Sequence, residues 1–308
     1  MKASSFWLPA RARLALPAAA AAAVLLLSGC GGTAADSQDK TAQSPGAAAR
    51  PSGTAKDPAT SAELYGHVHG LSADPQSGRV LLATHNGLFE AGSSEPAGPI
   101  SPVIDLMGFA AAGDGRFIAS GHPGPGSDLP EPVGLISSSD GGRTWEQLSR
   151  QGESDFHALT ATSAGVVGFD GELRTTEDLE TWHTVDAGFH PYSLAGTPAS
   201  AVVLATTEQG IHRSDNGGKT WTAPNAGPVL LLTAFADEAT VAGIAPDGLV
   251  YTSSDAGRTW QAAGNASAPP EAMTAGIGAG GKLLVWVYTA NGLEYSDDGG
   301  KTFAPHGS

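Results

Sequence analysis

Five near-copies of one short acidic motif punctuate the last two-thirds of this chain: SSDGGRTW at Ser138 to Trp145, TTEDLETW at Thr175 to Trp182, SDNGGKTW at Ser214 to Trp221, SSDAGRTW at Ser253 to Trp260 and SDDGGKTF at Ser296 to Phe303. The closing aromatic residues Trp145, Trp182, Trp221, Trp260 and Phe303 are 37, 39, 39 and 43 residues apart. A period near 40 is the length of one four-stranded propeller blade. With 42 glycines and 21 prolines, composition excludes a solenoid of helices.

A second marker repeats with the first and adds a unit that lacks the acidic motif. A turn glycine followed by an aliphatic residue occurs at Gly87-Leu88, Gly134-Leu135, Gly210-Ile211, Gly248-Leu249 and Gly292-Leu293, and Gly171-Glu172-Leu173 is a looser copy. Asn86-Gly87, Asp170-Gly171, Asp247-Gly248 and Asn291-Gly292 are hairpin signals, because both central residues of a type I′ turn need positive φ. Each joins an apolar second strand, such as Val80 to Ala83, Ala201 to Ala205 or Leu283 to Tyr288, to a third strand that runs into the acidic motif. Six units follow, so the expected fold is all-β: a six-bladed β-propeller of four-stranded antiparallel blades, spanning residues 61–308 at about 41 residues per blade.

In the acidic motif, Asp and Ser side chains bond backbone N–H groups of a turn, Gly supplies positive φ, and the aromatic residue buries itself at the start of strand four. The chain resembles Asp-box, or BNR-repeat, proteins on these residues, whose pattern is Ser-x-Asp-x-Gly-x-Thr-Trp. Ser138, Asp140, Gly142, Thr144 and Trp145 match it fully, as do Ser253, Asp255, Gly257, Thr259 and Trp260. Asn216 replaces Asp in the third copy and Phe303 replaces Trp in the last, and the second copy reads as degenerate, with Glu177 for Asp and Leu179 for Gly. The resemblance implies a propeller and bacterial lipoproteins labelled sialidase-like or glycosyl hydrolase. It implies no single activity, since the family includes sialidases, other glycoside hydrolases, sortilin-type receptors and assembly factors. A strict sialidase is not expected: the family pattern needs three arginines on the substrate carboxylate, and Arg143 and Arg258 lie inside rim motifs while Arg174 and Arg213 lie on third strands.

The chain's first 60 residues are expected to stand outside the propeller. Lys2, Arg11 and Arg13 precede an apolar run from Leu14 to Leu27, too short for a confident membrane span, and Leu27-Ser28-Gly29-Cys30 follows. That tetrapeptide resembles a bacterial lipobox, which implies a signal peptide over residues 1–29 and lipid on Cys30; a plain secretory signal is the alternative. Residues 30–60 lack any aromatic residue and any aliphatic side chain larger than Ala after Cys30, and read as a tether. Cys30 is the only cysteine, so no internal disulfide, thiolate metal site or cysteine catalysis is available. The protein is therefore expected outside the cytoplasm, held to a membrane by lipid and acting as a monomer. Loss of residues 1–29 removes three basic and no acidic residues and takes the net charge from −15 to about −18. Nucleic acid is excluded as a partner on that charge, and cations are favoured.

Each repeat should open with the blade's innermost strand, and the six openings align as HVHGLSA from His67, DLMGFAA from Asp105, DFHALTA from Asp155, HPYSLAG from His190, PVLLLTA from Pro228 and EAMTAGI from Glu271. In that alignment the first position reads His67, Asp105, Asp155, His190, Pro228, Glu271 and the third reads His69, Met107, His157, Tyr192, Leu230, Met273. Period two puts first and third positions on one face, toward one mouth of the central channel. His85 from a hairpin and His122 from the loop between Gly121 and Pro132 should open on the same end, with Tyr192, as ligand-binding residues. His67, His69, His157 and His190 are candidate ligands for Zn²⁺ or Cu²⁺, with Met107 and Met273 tilting the choice toward copper. Asp155, Glu271 and Asp105 are the candidate catalytic carboxylates of a glycoside hydrolase. Three functions stay open: a mouth that binds a glycan or metal ion, a hydrolase, and a scaffold with a protein ligand on its rim.

Overall fold

The computed structural model describes residues 65–92, 98–224 and 227–307. The expected signal peptide, Cys30 and the expected tether lie outside the described residues.

Twenty-two strands form six antiparallel sheets in strict chain order. The first sheet contains β1 (Val68–Ala73), β2 (Val80–Thr84) and β3 (Gly87–Glu90), and the second β4 (Ile104–Ala111), β5 (Phe117–Pro123), β6 (Leu135–Ser138) and β7 (Glu146–Ser149). The third contains β8 (Ala158–Thr162), β9 (Gly165–Phe169), β10 (Leu173–Thr176) and β11 (His183–Val185), and the fourth β12 (Ser193–Thr197), β13 (Ser200–Thr207) and β14 (Gly210–Ser214). The fifth contains β15 (Leu232–Phe235), β16 (Val241–Ile244), β17 (Leu249–Ser253) and β18 (Gln261–Asn265), and the sixth β19 (Pro270–Ile277), β20 (Leu283–Thr289), β21 (Gly292–Ser296) and β22 (Ala304–Pro305). Among the described residues the first sheet has no fourth strand, and in the fourth sheet that strand shrinks to a bridge between Arg213 and Thr222.

The ring is six-bladed. Inner strands β1, β4, β8, β12, β15 and β19 neighbour one another in turn, and β19 returns to β1. Among the described residues no strand is shared across the closure, and apolar side chains pack over it, Val68, Val80, Leu82 and Phe89 of the first blade with Leu284, Trp286 and Tyr288 of the last. Second strands are covered on both faces, which is why VLLAT of β2 reads as a continuous apolar run rather than an alternation. Outer strands meet water; HTV of β11 and QAAGN of β18 carry no fully buried residue.

The acidic motifs form the outer turns, and their carboxylates are consumed there. Asp255 Oδ1 accepts the N–H groups of Arg258 (3.0 Å) and Thr259 (2.8 Å) and the Ser253 hydroxyl (2.8 Å), while Oδ2 accepts the Thr259 hydroxyl (2.6 Å). Asp140 and Asp298 repeat this arrangement. Asn216 reproduces it with its carbonyl oxygen, and turns its amide to donate to Thr220 Oγ1 at 2.9 Å. In the second copy the acid in the turn is Asp178, not Glu177. Asp178 accepts the N–H of Thr181 at 2.7 Å and of Glu180 at 2.9 Å, and the turn closes one residue early with Leu179 at φ +66°. Counting back from Trp182 misses this because a residue is deleted between the acid and the aromatic. Gly257, at φ +82°, lies so close to the preceding blade that a Cβ would sit 2.7 Å from Leu204 Cδ1, so each turn also clamps two blades together.

These turns make stability pH-dependent. Hydrogen bonds from the Thr144 hydroxyl and N–H hold the Asp140 carboxyl well below the ordinary carboxylate range, the Thr302 hydroxyl and N–H do so for Asp298, and the N–H groups of Thr181 and Glu180 for Asp178. At Asp255 desolvation acts upward, and the Thr259 and Ser253 bonds outweigh it to bring the carboxyl down to about 2. A carboxyl depressed in the folded state contributes stability above its unfolded value, near 3.9, and loses it as pH falls toward its folded value. The contribution of these turns to the melting temperature is expected to be constant from pH 7 to about 5 and to fall between about pH 4 and 2. Asp255→Asn, which copies the natural Asn216 turn, should flatten part of that drop; a variant with the unaltered acid profile would refute the assignment.

Candidate functional site

Short side chains let the inner strands approach around the channel. A Cβ on Gly108 would lie 2.2 Å from the Phe156 carbonyl oxygen of the next blade, and one on Gly70 would lie 3.2 Å from Phe109 Cβ. Just before these positions three inner strands carry a β-bulge, between Val68 and Gly70, Leu106 and Gly108, and Pro270 and Ala272. The bulged residues are His69, Met107 and Glu271, and a bulge re-aims its side chain. His157, Tyr192 and Leu231 stand at the matching places, their N–H groups bonded to Phe169, Thr206 and Ile244 carbonyls. Glu271 is thus equivalent to His69, not to His67, and the fifth blade contributes Leu231, not Leu230. The small residue at Gly70, Gly108, Ala158, Ser193 and Ala272 is the reliable register marker, and it explains why an alignment starting at Glu271 fits poorly.

At this end of the channel a cavity of about 320 Å³ is lined by His67, His69, Met107, His157, Tyr192 and Glu271, among others, with Met273 deeper in. His85 stands at the β2–β3 turn. His122 is on β5 itself, in register with Asp105, since that strand runs through Pro123 and the following loop begins later than the sequence suggests. His190 stands apart. It lines a separate groove with Phe189, Glu208, His212 and Pro224, its ring 5.5 Å from that of Phe169. Tyr192, 62% exposed, borders both the groove and the channel mouth.

Two imidazole–carboxylate assemblies occupy the mouth. In the first, His85 Nδ1 lies 2.8 Å from Asp105 Oδ2, His69 Nε2 lies 3.7 Å from Asp105 Oδ1 and 3.5 Å from His85 Nδ1. These three ligand atoms all fall within 4.8 Å of one another. His67 joins the edge of the assembly: its ring centroid is 4.9 Å from that of His69, and its Nε2 is 3.9 Å from Glu271 Oε2. In the second, Asp155 Oδ2 lies 2.8 Å from His157 Nε2 and 3.0 Å from His122 Nε2, while His122 Nδ1 lies 2.5 Å from Glu131 Oε1. Asp105 Oδ1 and Asp155 Oδ1 are both buried without a hydrogen-bond partner. A buried carboxylate oxygen with no donor costs desolvation that neither protein nor solvent offsets.

Electrostatics separate the histidines. Burial, followed by the positive fields of His85 and His67, pushes His69 down to about 4 against the upward pull of Asp105, so its imidazole is neutral at pH 7 and carries a lone pair. His122 moves the other way, raised first by its bond to Glu131, with Asp155 and Asp105 adding to the effect against desolvation.

The trio differs in part from the residues the sequence nominates for metal. His69 is shared, whereas His85 and Asp105 were nominated for ligand binding and catalysis, and His190 lines the neighbouring groove and is not part of this trio. Glu131 went unrecognised. It is the first residue of the cis Glu131-Pro132 peptide, in the loop after β5, and only the three-dimensional placement of His122 gives it a partner.

Fold and site together define a six-bladed β-propeller whose channel mouth is a belt of imidazoles and carboxylates. No family model matches the sequence. No curated protein matches it either. Solved structures similar in fold include an ancestral GH74 enzyme at 16% identity and TM-score 0.47, covering 74% of this chain and 36% of that one; the chain thus spans about a third of that enzyme. YCF48 bound to D1 peptide aligns at 16% identity and TM-score 0.43 over 65% of this chain and 68% of that one. Virginiamycin B lyase from Staphylococcus aureus aligns at 12% identity and TM-score 0.47 over 75% and 84%. At such identities the likeness concerns the fold alone.

Proposed function

We propose that this chain is a lipid-anchored, extracytoplasmic propeller of the Asp-box class that binds a transition-metal cation at its channel mouth. The observation that carries the reading is the His69, His85 and Asp105 trio, with ligand atoms within 4.8 Å of one another and Asp105 Oδ1 buried and unpartnered. Two imidazoles and one carboxylate are a donor set suited to Zn²⁺ or Cu²⁺, and three protein ligands leave coordination positions open. Net charge of −15 favours approach of a cation. The lipobox-like Leu27 to Cys30 segment supports export and anchoring.

The glycoside hydrolase reading keeps Asp105, Asp155 and Glu271 at one mouth, but each faces an imidazole: His85, His157 with His122, and His67 respectively. That arrangement favours cation binding over a free acid and base flanking a sugar.

The full chain, purified in detergent and dialysed against micromolar Cu²⁺ or Zn²⁺, is expected to retain metal. His85→Gln is expected to remove at least one equivalent without loss of fold, read by elemental analysis with circular dichroism alongside. A chain that retains no metal above a bovine albumin-free buffer blank would overturn the reading and return the mouth carboxylates to a glycan screen.

A further inference from the structure

The two assemblies at the mouth are related by a step of one blade. Ala83 pairs with Gly70 in the first blade and Ser120 pairs with Gly108 in the second, so His85 and His122, each two residues further along the second strand, are structural equivalents. Asp105 and Asp155 are equivalents as well, each standing three residues before the small residue of its inner strand, Gly108 and Ala158. The same handshake therefore occurs twice: the histidine ending strand two of one blade reaches the first-position aspartate of the next, His85 to Asp105 at 2.8 Å and His122 to Asp155 at 3.0 Å. In both cases the aspartate's Oδ2 is engaged and its Oδ1 is buried without a partner.

The third member changes. The position of the bulged His69 is taken one blade on by the bulged Met107, and His157 of the following blade adds an imidazole to Asp155 at 2.8 Å. Met107 and His157 line the same cavity. His122 is also braced from behind, because its Nδ1 faces Glu131 Oε1 at 2.5 Å. A carboxylate on the far nitrogen of an imidazole fixes its ring and tautomer and presents the other nitrogen, here Nε2, for coordination.

We infer that the mouth holds a second cation site, one blade beyond the first, built from Asp155, His122, His157 and Met107 and suited to copper. The inference extends the metal reading of the first site. The donor sets differ in softness: two imidazoles and a carboxylate at Asp105, against two imidazoles, a carboxylate and a thioether at Asp155. Thioether sulfur selects Cu⁺ among the first-row ions, and imidazole accepts either copper state. Cation entry at Asp155 requires the His122 and His157 Nε2 atoms, which now flank one carboxylate oxygen, to turn toward a shared point; His157 is more than half exposed and free to do so. Any proton on a coordinating Nε2 leaves to solvent as the cation takes its place. Asp155 Oδ1 gains the partner it lacks.

The test is copper stoichiometry of the full chain in detergent, measured by elemental analysis and, for Cu²⁺, by electron paramagnetic resonance, for the parent chain and for His85→Gln, His122→Gln and Asp155→Asn. Two equivalents with two distinct spectra are expected in the parent, falling to one in each variant, with the spectrum retained in His85→Gln being the one lost in His122→Gln. If His122→Gln does not fold, Asp155→Asn carries the same expectation. In a His85→Gln background, Met107→Leu is expected to weaken Cu⁺ binding, held under ascorbate, by tenfold or more; unchanged Cu⁺ affinity would overturn the role of Met107. One equivalent in the parent, lost with His85→Gln and kept in His122→Gln and Asp155→Asn, would overturn the second site and leave the first. One equivalent lost in all variants would overturn it in favour of a single shared site. No copper in any chain would overturn both.

Discussion

Replacing Asp105 by asparagine is expected to weaken metal binding at the first site by about 100-fold or more, beyond the 10- to 100-fold typical of losing an outer partner of a metal ligand. Asparagine keeps one oxygen but loses the negative charge, and its amide presents N–H groups to His85. The metal-free protein should not suffer. Asp105 holds a buried oxygen without a donor; asparagine lowers the desolvation cost there by losing the charge but weakens the contact with His85, so the apo melting temperature is expected to change little. The parent chain should gain about 2.7 kcal/mol at a free metal concentration 100 times its dissociation constant, seen as a rise in melting temperature that the variant lacks. Equal metal-induced stabilisation in both proteins would contradict coordination by Asp105.

The second large effect is structural. Phe156 lies between Asp155 and His157, is fully buried, stacks on Trp182 with ring centroids 4.7 Å apart, and donates its N–H to Ser120 Oγ of the preceding blade at 2.9 Å. Gly168 opposite it has room for no Cβ, which would lie 2.6 Å from the Phe156 ring. Phe156→Ala is expected to cost about 3 to 5 kcal/mol, since a large aromatic leaves a cavity that a β-sheet interface closes only partly. At about 2 to 4 °C per kcal/mol for a domain of this size, the melting temperature should fall by roughly 6 to 20 °C. Phe156→Leu, which retains most of the volume, should fall much less. The same truncation unpins Asp155 and His157, so copper at the second site should weaken even below the melting temperature; a variant that melts early yet binds unchanged would show that the site is positioned independently of this ring.

Much of the architecture was legible because a propeller repeats its grammar locally. Hairpin signals such as Asn86-Gly87 and Asn291-Gly292 fall between the observed β2 and β3 and between β20 and β21, and the aliphatic runs before them are the buried second strands. The place of a hairpin depends on its own residues, although Asn86 and Asn291 do not take the positive φ of a type I′ turn, and burial on both faces leaves a continuous apolar run, so the hairpin positions and the second strands can be read without the partner. The acidic turn at Asp178 was harder, because a one-residue deletion changes the count while Leu179 takes the left-handed conformation without a glycine to announce it.

The mouth was legible in composition and not in pairing. His67, His69, Met107, His157, Tyr192 and Glu271 do line one cavity, yet which imidazole meets which carboxylate depends on bulges between Val68 and Gly70 and between Leu106 and Gly108. A bulge inserts a residue without altering the hydrophobic pattern on either side, so period-two reasoning passes over it. That is also why Glu271 was placed two positions out of register.

By itself, then, the sequence determined the number of blades, the hairpin positions, four of the five acidic turns and most of the histidines and carboxylates gathered near the inner strands, because each is written in contiguous residues. Only the tertiary structure decided that His85 of one blade closes on Asp105 of the next, that His122 repeats the contact on Asp155, and that Glu131 stands behind it. The first two contacts cross from blade to blade over 20 and 33 residues and are set by how closely Gly70 and Gly108 let neighbouring inner strands approach, a distance that no local pattern encodes; the third spans 9 residues within one blade.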